Sequence, residues 1–209
     1  MTTEFTFLTI RQLSNLLRNK DISPIELTKA CLHRLEVLGP RYNAVVTLTG
    51  ERAMRQAKKA ELEIESGHYK GALHGIPYGA KDLLATSGGI PTTWGAYPLK
   101  GQSFDHDAHI ITKLEYAGAV LAAKLSMVEL AGGMGYRNPN ASFTGPGISP
   151  WGNLDSWSGG SSSGSGSSVA AGLLPFAIGS ETWGSILTPV SYTHLRAHET
   201  RHDVVCRLL

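Results

Sequence analysis

The chain has 209 residues, 42% hydrophobic and 17% charged, with 19 basic and 17 acidic side chains and a formal net charge of +2. At roughly 150 residues per domain this is about one domain, too neutral for a dedicated nucleic-acid module and too apolar for a disordered chain. Two cysteines, Cys31 and Cys206, are too few to staple a secreted disulfide scaffold. No apolar run reaches the ~18 residues of a membrane span, and Met1-Thr2-Thr3-Glu4-Phe5 lacks the basic and apolar regions of a signal peptide. A soluble protein in the reducing cytoplasm is therefore expected, with Cys31 as a small core residue.

In chain order, Ile10, Leu13, Leu16 and Leu17 share a helix-spaced apolar face over residues 10–19. Ser23-Pro24-Ile25-Glu26 is a helix start: Ser23 caps, Pro24 suits the first helical position, and Glu26 closes a capping box. Leu27, Ala30, Cys31, Leu35 and Leu38 continue an apolar face until Gly39-Pro40 stops it. Residues 43–48 predict a short buried strand, and 51–66 a charged helix with Ala53, Ala57, Ala60 and Ile64 inward. Ile76 to Ala80 predicts a strand that delivers Lys81. A helix over 107–117, a buried strand over 119–123, a small-residue helix over 169–174 and a strand over 175–178 follow. Alternating strands and helices make the class α/β.

From about Val190 the pattern breaks. Residues 190–209 hold three of the eight His and one of the two Cys, without Gly or apolar periodicity. They resemble a translated adapter or vector read-through, so residues 1–189 are expected to form the domain and 190–209 to lie outside it. His198-Glu199-Thr200-Arg201-His202 fits the H-E-x-x-H zinc pattern. A catalytic zinc also needs a third ligand and a packed supporting shell, which a short tail does not supply; no metal site is expected.

The glycine excess clusters in Ser156-Trp157-Ser158-Gly159-Gly160-Ser161-Ser162-Ser163-Gly164-Ser165-Gly166-Ser167-Ser168. Composition alone reads as a flexible linker. The stretch instead runs into the apolar Val169 to Phe176, and a Gly-rich loop opening a helix gathers backbone N–H groups and hydroxyls around one spot. It has no Lys for a nucleotide-binding loop. Gly160-Ser161-Ser162-Ser163-Gly164 fits G-x-S-x-G with Ser162 as nucleophile, but lacks the preceding strand and a downstream His outside the suspect tail. A second serine loop, Gly179-Ser180-Glu181-Thr182-Trp183-Gly184-Ser185-Ile186-Leu187-Thr188-Pro189, can present a hydroxyl beside N–H donors for an oxyanion. Lys81, at the end of an apolar run, is a candidate buried lysine whose lowered pKa would make it a base.

Three segments together resemble the amidase signature family: G-A-L-H-G-I-P-Y-G-A-K-D at 71–82, G-G-S-S-S-G-S at 159–165 and G-S-E-T-W-G-S-I-L-T-P at 179–189, with Asp107 to Lys124 similar to the family's helix-then-strand segment. The resemblance implies an α/β fold with a mixed sheet flanked by helices, of which this chain carries an N-terminal part that stops after the nucleophile segment. It implies Lys81 as catalytic lysine, Ser161 as bridging serine with a cis peptide bond, Ser185 as nucleophile and Ser162 in support. Backbone N–H groups of Thr182, Trp183, Gly184 and Ser185 form the implied oxyanion hole. It further implies acyl transfer from a small amide substrate with no cofactor, metal, direct nucleic-acid contact or membrane. Homo-oligomerisation and amidotransferase partner subunits both stay open, as do three activities: amide hydrolase, ammonia-releasing component of an amidotransferase, and non-catalytic protein of the same fold. Trp183 stands where the family usually has Gly, and Leu187 where it commonly has Arg, which leaves the triad intact but alters the substrate end of the loop.

Overall fold

A computed structural model describes residues 5–132, 142–151, 153–154, 156–192 and 205–207. Helix α1, Ile10–Asn19, starts at Thr9, whose side chain accepts from the Gln12 N–H while the Gln12 side chain takes the Thr9 N–H. Helix α2, Pro24–Leu38, carries the expected capping box between Ser23 and Glu26. Both helices bury most of their predicted faces, including Leu13, Leu17, Leu27 and Leu35, because apolar residues at helical spacing lose water contact together, while Leu16, Ala30 and Leu38 are half-buried. Strand β1, Val45–Leu48, leads into α3, Gly50–Glu65, which buries Ala53, Ala57, Ala60 and Ile64 as its spacing predicts. Strand β2, Pro77–Lys81, helix α4, His109–Tyr116, and strand β3, Val120–Leu125, follow.

The next helix departs from expectation. Helix α5 spans Ser163–Ala170, inside the Gly/Ser stretch, and ends where the sequence predicts a helix to begin. Gly and Ser are weak helix formers in isolation, but here every residue of α5 is buried. A Cβ on Gly164 would lie 2.5 Å from the Ala44 carbonyl oxygen and from the Ser126 nitrogen. Small side chains let this helix approach neighbouring backbone closely, and packing overrides local propensity. Strand β4, Phe176–Ile178, follows.

The sheet order is β1-β3-β2-β4-β5, the last strand being β5, Val205–Arg207. The central pairs β2–β3 and β2–β4 are parallel and the outer pairs β1–β3 and β4–β5 antiparallel, giving the expected mixed sheet. Strands β2 and β3 are buried along their whole length, the signature of a sheet covered on both faces. Tyr78 of β2 stacks on Phe176 of β4 with ring centroids 5.3 Å apart. Cys31 is buried in the same core, and desolvation pushes its thiol up to about 12.

The boundary expected at Pro189 is not an element boundary. Helix α6, Leu187–Tyr192, crosses it, and β5 hydrogen-bonds to the outer edge of β4. An extended Val-Cys-Arg segment satisfies the backbone groups that an unpaired edge would leave open. His198, Glu199 and His202 lie outside the described residues. Among the described residues no helix is long and apolar enough to cross a membrane, and no cluster of His, Cys, Asp or Glu could hold a metal ion.

Candidate active site

Lys81 ends β2 and is fully buried. The strand carries the lysine to the C-terminal end of the sheet, where ligand sites of parallel α/β sheets commonly sit. Its Nζ lies 2.6 Å from the Ser161 Oγ and 2.8 Å from the Ser180 Oγ, so it joins the two serine loops. Desolvation brings the lysine down to about 7, against the opposing pull of the Glu181 carboxylate. A water-exposed lysine would be charged at neutral pH; this one is divided between amine and ammonium.

The neighbouring Asp82, also fully buried, is engaged elsewhere. Its carboxylate lies 3.3 Å from the Lys124 Nζ and accepts hydrogen bonds from the Thr93 N–H and hydroxyl. Lys124 also donates to the Thr92 Oγ1 at 2.7 Å. This pairing keeps the Asp82 charge balanced by Lys124, so it does not hold Lys81 in its charged form.

Ser161 follows a cis Gly160–Ser161 peptide bond, at the position the resemblance implies. Its carbonyl accepts from the Val128 N–H at 3.0 Å, and the next residue, Ser162, donates its N–H to the Ser185 carbonyl at 3.0 Å. The loop of Ser185 is thereby tied directly beside Ser161, and Ser185 is buried with 7% of its surface exposed. Ser162 stands at the head of α5, where its Oγ donates to the Ser180 carbonyl and accepts from the Ser180 N–H, both at 3.3 Å. It therefore braces one serine loop against the other. Lys81, Ser161, Ser162 and Ser185, 104 positions apart at the extremes of the chain segment, meet in one place.

The four expected oxyanion donors divide. The N–H groups of Gly184 and Ser185 donate to the Glu181 carboxylate, as do those of Ile186 and Leu187 at 2.5 and 3.1 Å. Thr182 and Trp183 face solvent, Trp183 with 90% of its surface exposed. Partial burial pushes the Glu181 carboxyl up, but its N–H donors outweigh that and hold it below the ordinary value.

The sequence motif contains Ser180 and Glu181 but assigns neither a role. The available signal is a carboxylate shortly before a helix, close enough along the chain to accept from the N–H groups that lead into α6. Lys124 is visible in the sequence only as the end of a strand, and its pairing with Asp82 needs the β2–β3 register.

A family model described as Amidase matches residues 26–196. A glutamyl-tRNA(Gln) amidotransferase subunit of Dehalococcoides mccartyi (strain CBDB1) is 40% identical over 205 residues, covering 98% of this chain and 41% of the relative. Among solved structures, a peptide amidase in complex with the competitive inhibitor chymostatin superposes with a TM-score of 0.80 at 32% identity, covering 90% of this chain and 39% of the other. A bacterial aryl acylamidase of the amidase signature enzymes superposes with a TM-score of 0.80 at 29% identity, covering 90% and 38%. The chain thus spans about two-fifths of the length of the proteins it matches. With the family model matched across most of its length, and with the three motif segments converging as described, the chain belongs to the amidase family.

Proposed function

We propose that the protein carries the catalytic centre of an amide hydrolase, with Ser185 as nucleophile, Ser161 as proton relay and Lys81 as base. The observation that supports this most is the buried Lys81 Nζ placed 2.6 Å from the Ser161 Oγ. A serine hydroxyl is a poor nucleophile until a nearby base takes its proton, and a lysine brought down to about 7 can do so at neutral pH.

In this reading Ser185 Oγ attacks the amide carbonyl carbon while its proton passes to Ser161, whose own proton passes to the neutral Lys81 amine. The N–H groups of Thr182 and Trp183 hold the oxyanion, since Glu181 already takes those of Gly184 and Ser185. Loss of one such donor typically costs ~10²–10³ in rate. The C–N bond then breaks as Ser161 protonates the departing nitrogen and is itself reprotonated by the Lys81 ammonium, leaving an acyl group on Ser185 and a neutral Lys81. Water attacks that ester as its proton passes through Ser161 to Lys81, and the same relay run backwards protonates the departing Ser185 Oγ, freeing the acid. The proposed setting is the cytoplasm, where a single buried thiol such as Cys31 stays reduced.

The test is covalent labelling of the 209-residue chain with a fluorophosphonate, in which a Ser185 Oγ–P bond forms and fluoride leaves. Labelling should map to Ser185, rise with pH through about 7 as Lys81 loses its proton, and vanish in Ser185→Ala. Unchanged labelling in Ser185→Ala overturns the assignment.

A second reading is supported by the 40% identity to a component of a glutamyl-tRNA(Gln) amidotransferase: the same chemistry releasing ammonia for a partner. Co-purification of the native protein with partner subunits, and stoichiometric ammonia transfer to an acceptor rather than its release to solvent, would separate it from a free-standing hydrolase.

A further inference from the structure

The Asp82–Lys124 ion pair lies across the end of the sheet from the Lys81 amine. Lys124 of β3 pairs with Ala80 of β2, and the Asp82 N–H extends this ladder by donating to the Leu125 carbonyl at 3.0 Å. Side chains alternate in extended chain, so Asp82 and Lys124 share one face, where the Lys124 Nζ lies 3.3 Å from the Asp82 carboxylate. Lys81 takes the other face, against Ser161 and Ser180. Both members of the pair are fully buried. Burying two charges is costly unless further hydrogen bonds satisfy them, and the bonds that do so here come from one short segment. The Thr93 N–H, at 3.0 Å, and the Thr93 hydroxyl donate to Asp82. Lys124 donates to the Thr92 Oγ1 at 2.7 Å and to the Pro91 carbonyl at 3.3 Å.

Backbone contacts carry this segment on toward Ser161. The Trp94 N–H donates to the Asp82 carbonyl at 3.2 Å, and the Trp94 carbonyl accepts from the Leu130 N–H at 2.7 Å. A Cβ on Gly95 would stand 2.6 Å from the Met127 carbonyl oxygen, so the two loops meet backbone to backbone. Within the second loop, the Val128 N–H donates to the Ser161 carbonyl at 3.0 Å. A Cβ on Gly160 would lie 2.6 Å from the Val128 side chain, which places that side chain against the peptide leading into Ser161. Thr92, Thr93, Met127, Val128 and Ser161 are all buried, within this chain alone. Residues 91–95 therefore link the ion pair to the loop that seats Ser161.

We infer that Asp82 and Lys124 are positioning residues for the proposed reaction: the pair clasps residues 91–95, and through Val128 that segment holds the Ser161 backbone so that the Ser161 hydroxyl stays on the Lys81 amine. The inference rests on the hydrolase reading of the same site and deepens it. A buried ion pair is a poor source of net stability, because desolvation offsets its attraction. Its directional hydrogen bonds to residues 91–93 are what an apolar pair of the same size could not supply.

The test uses the 209-residue chain and two measurements, fluorophosphonate labelling of Ser185 and amide exchange at Val128. Thr93→Val keeps the buried volume but removes the hydroxyl that donates to Asp82. It should slow labelling roughly tenfold, as expected for one hydrogen bond to a charged group. Exchange at Val128 should quicken by a similar factor with β2 unchanged, and the midpoint of the labelling pH profile should stay at about 7. Thr93→Ser, which keeps the hydroxyl, should label at the parent's rate. Lys124→Met, which leaves Asp82 unpaired, should show the same changes more strongly; should it fail to fold by circular dichroism, the two Thr93 variants still decide. Labelling at the parent's rate in folded Thr93→Val overturns the inference. A midpoint moved to higher pH also overturns it, since the pair would then act by keeping water from Lys81 and not through Ser161. Absence of Ser185 labelling in the parent overturns the hydrolase reading instead, and exchange at Val128 then decides whether the clasp reaches the Ser161 loop.

Discussion

The proposed base and the proposed nucleophile of this site are held by different kinds of structure. Lys81 terminates a fully buried central strand, flanked on both sides by parallel partners. Ser185 sits in a loop between β4 and a short helix, where its N–H donates to the Glu181 carboxylate and its carbonyl accepts from the Ser162 N–H. Desolvation by a sheet sets the chemistry of the first; local hydrogen bonds set the geometry of the second. The contrast teaches that the costly requirement, a lysine that gives up its proton near pH 7, is met by the core itself, whereas the segment proposed to meet substrate is shaped by hydrogen bonds within its own loop.

Substitutions on the two sides should separate these roles. The largest effect is expected for Lys81→Met, which removes the base but keeps an apolar side chain in a buried slot. Labelling of Ser185 should fall by about 10²–10⁴-fold, with little loss of thermal stability, since an unfavourably buried amine is gone. Ser161→Ala should be comparable and strongly non-additive with Lys81→Met, because the two act as one relay. Ser162→Ala, which removes only a brace between loops, should cost less than Ser161→Ala. A greater loss in Ser162→Ala would favour the G-x-S-x-G alternative.

Next in size is a core change. Gly164→Ala forces a methyl group to within 2.5 Å of the Ala44 carbonyl oxygen and Ser126 nitrogen, so urea unfolding should show a loss of about 1–3 kcal/mol. A neutral result would mean that α5 is less tightly seated than its geometry indicates.

A smaller and local effect is expected for Glu181→Gln. Loss of the charged cap should cost about 1 kcal/mol, read as faster amide exchange at residues 184–187 with β2 unchanged. Glu181 favours the charged form of Lys81. Its neutralisation should therefore shift the labelling profile to lower pH. A shift to higher pH would show that the loop, not the charge, governs the base.

The smallest effect concerns the last segment. We propose that residues 190–209 add least to the fold, although β5 borders β4. Limited proteolysis should cut there before it cuts α5 or β4, and the trimmed chain should melt within a few degrees of the parent. Protection equal to that of residues 163–178 would make the segment an integral part of the sheet.

Most of the framework is legible in the sequence because it rests on local rules. The capping box at Ser23 and Glu26, the Ala-lined face of α3 and the apolar run before Lys81 each need only spacing and residue type. The Gly/Ser stretch misleads, since composition there favours a loop while close packing makes it the helix α5. The linear order of the chain determined which side chains were available: a lysine after an apolar strand, two serine-rich loops, and a tryptophan where the family usually has glycine. Tertiary structure alone decided that the Lys81 amine reaches Ser161 and Ser180 and that Asp82 is balanced by Lys124. Those outcomes depend on strand order and on desolvation, and both arise only when residues distant in the chain exclude water from the same space.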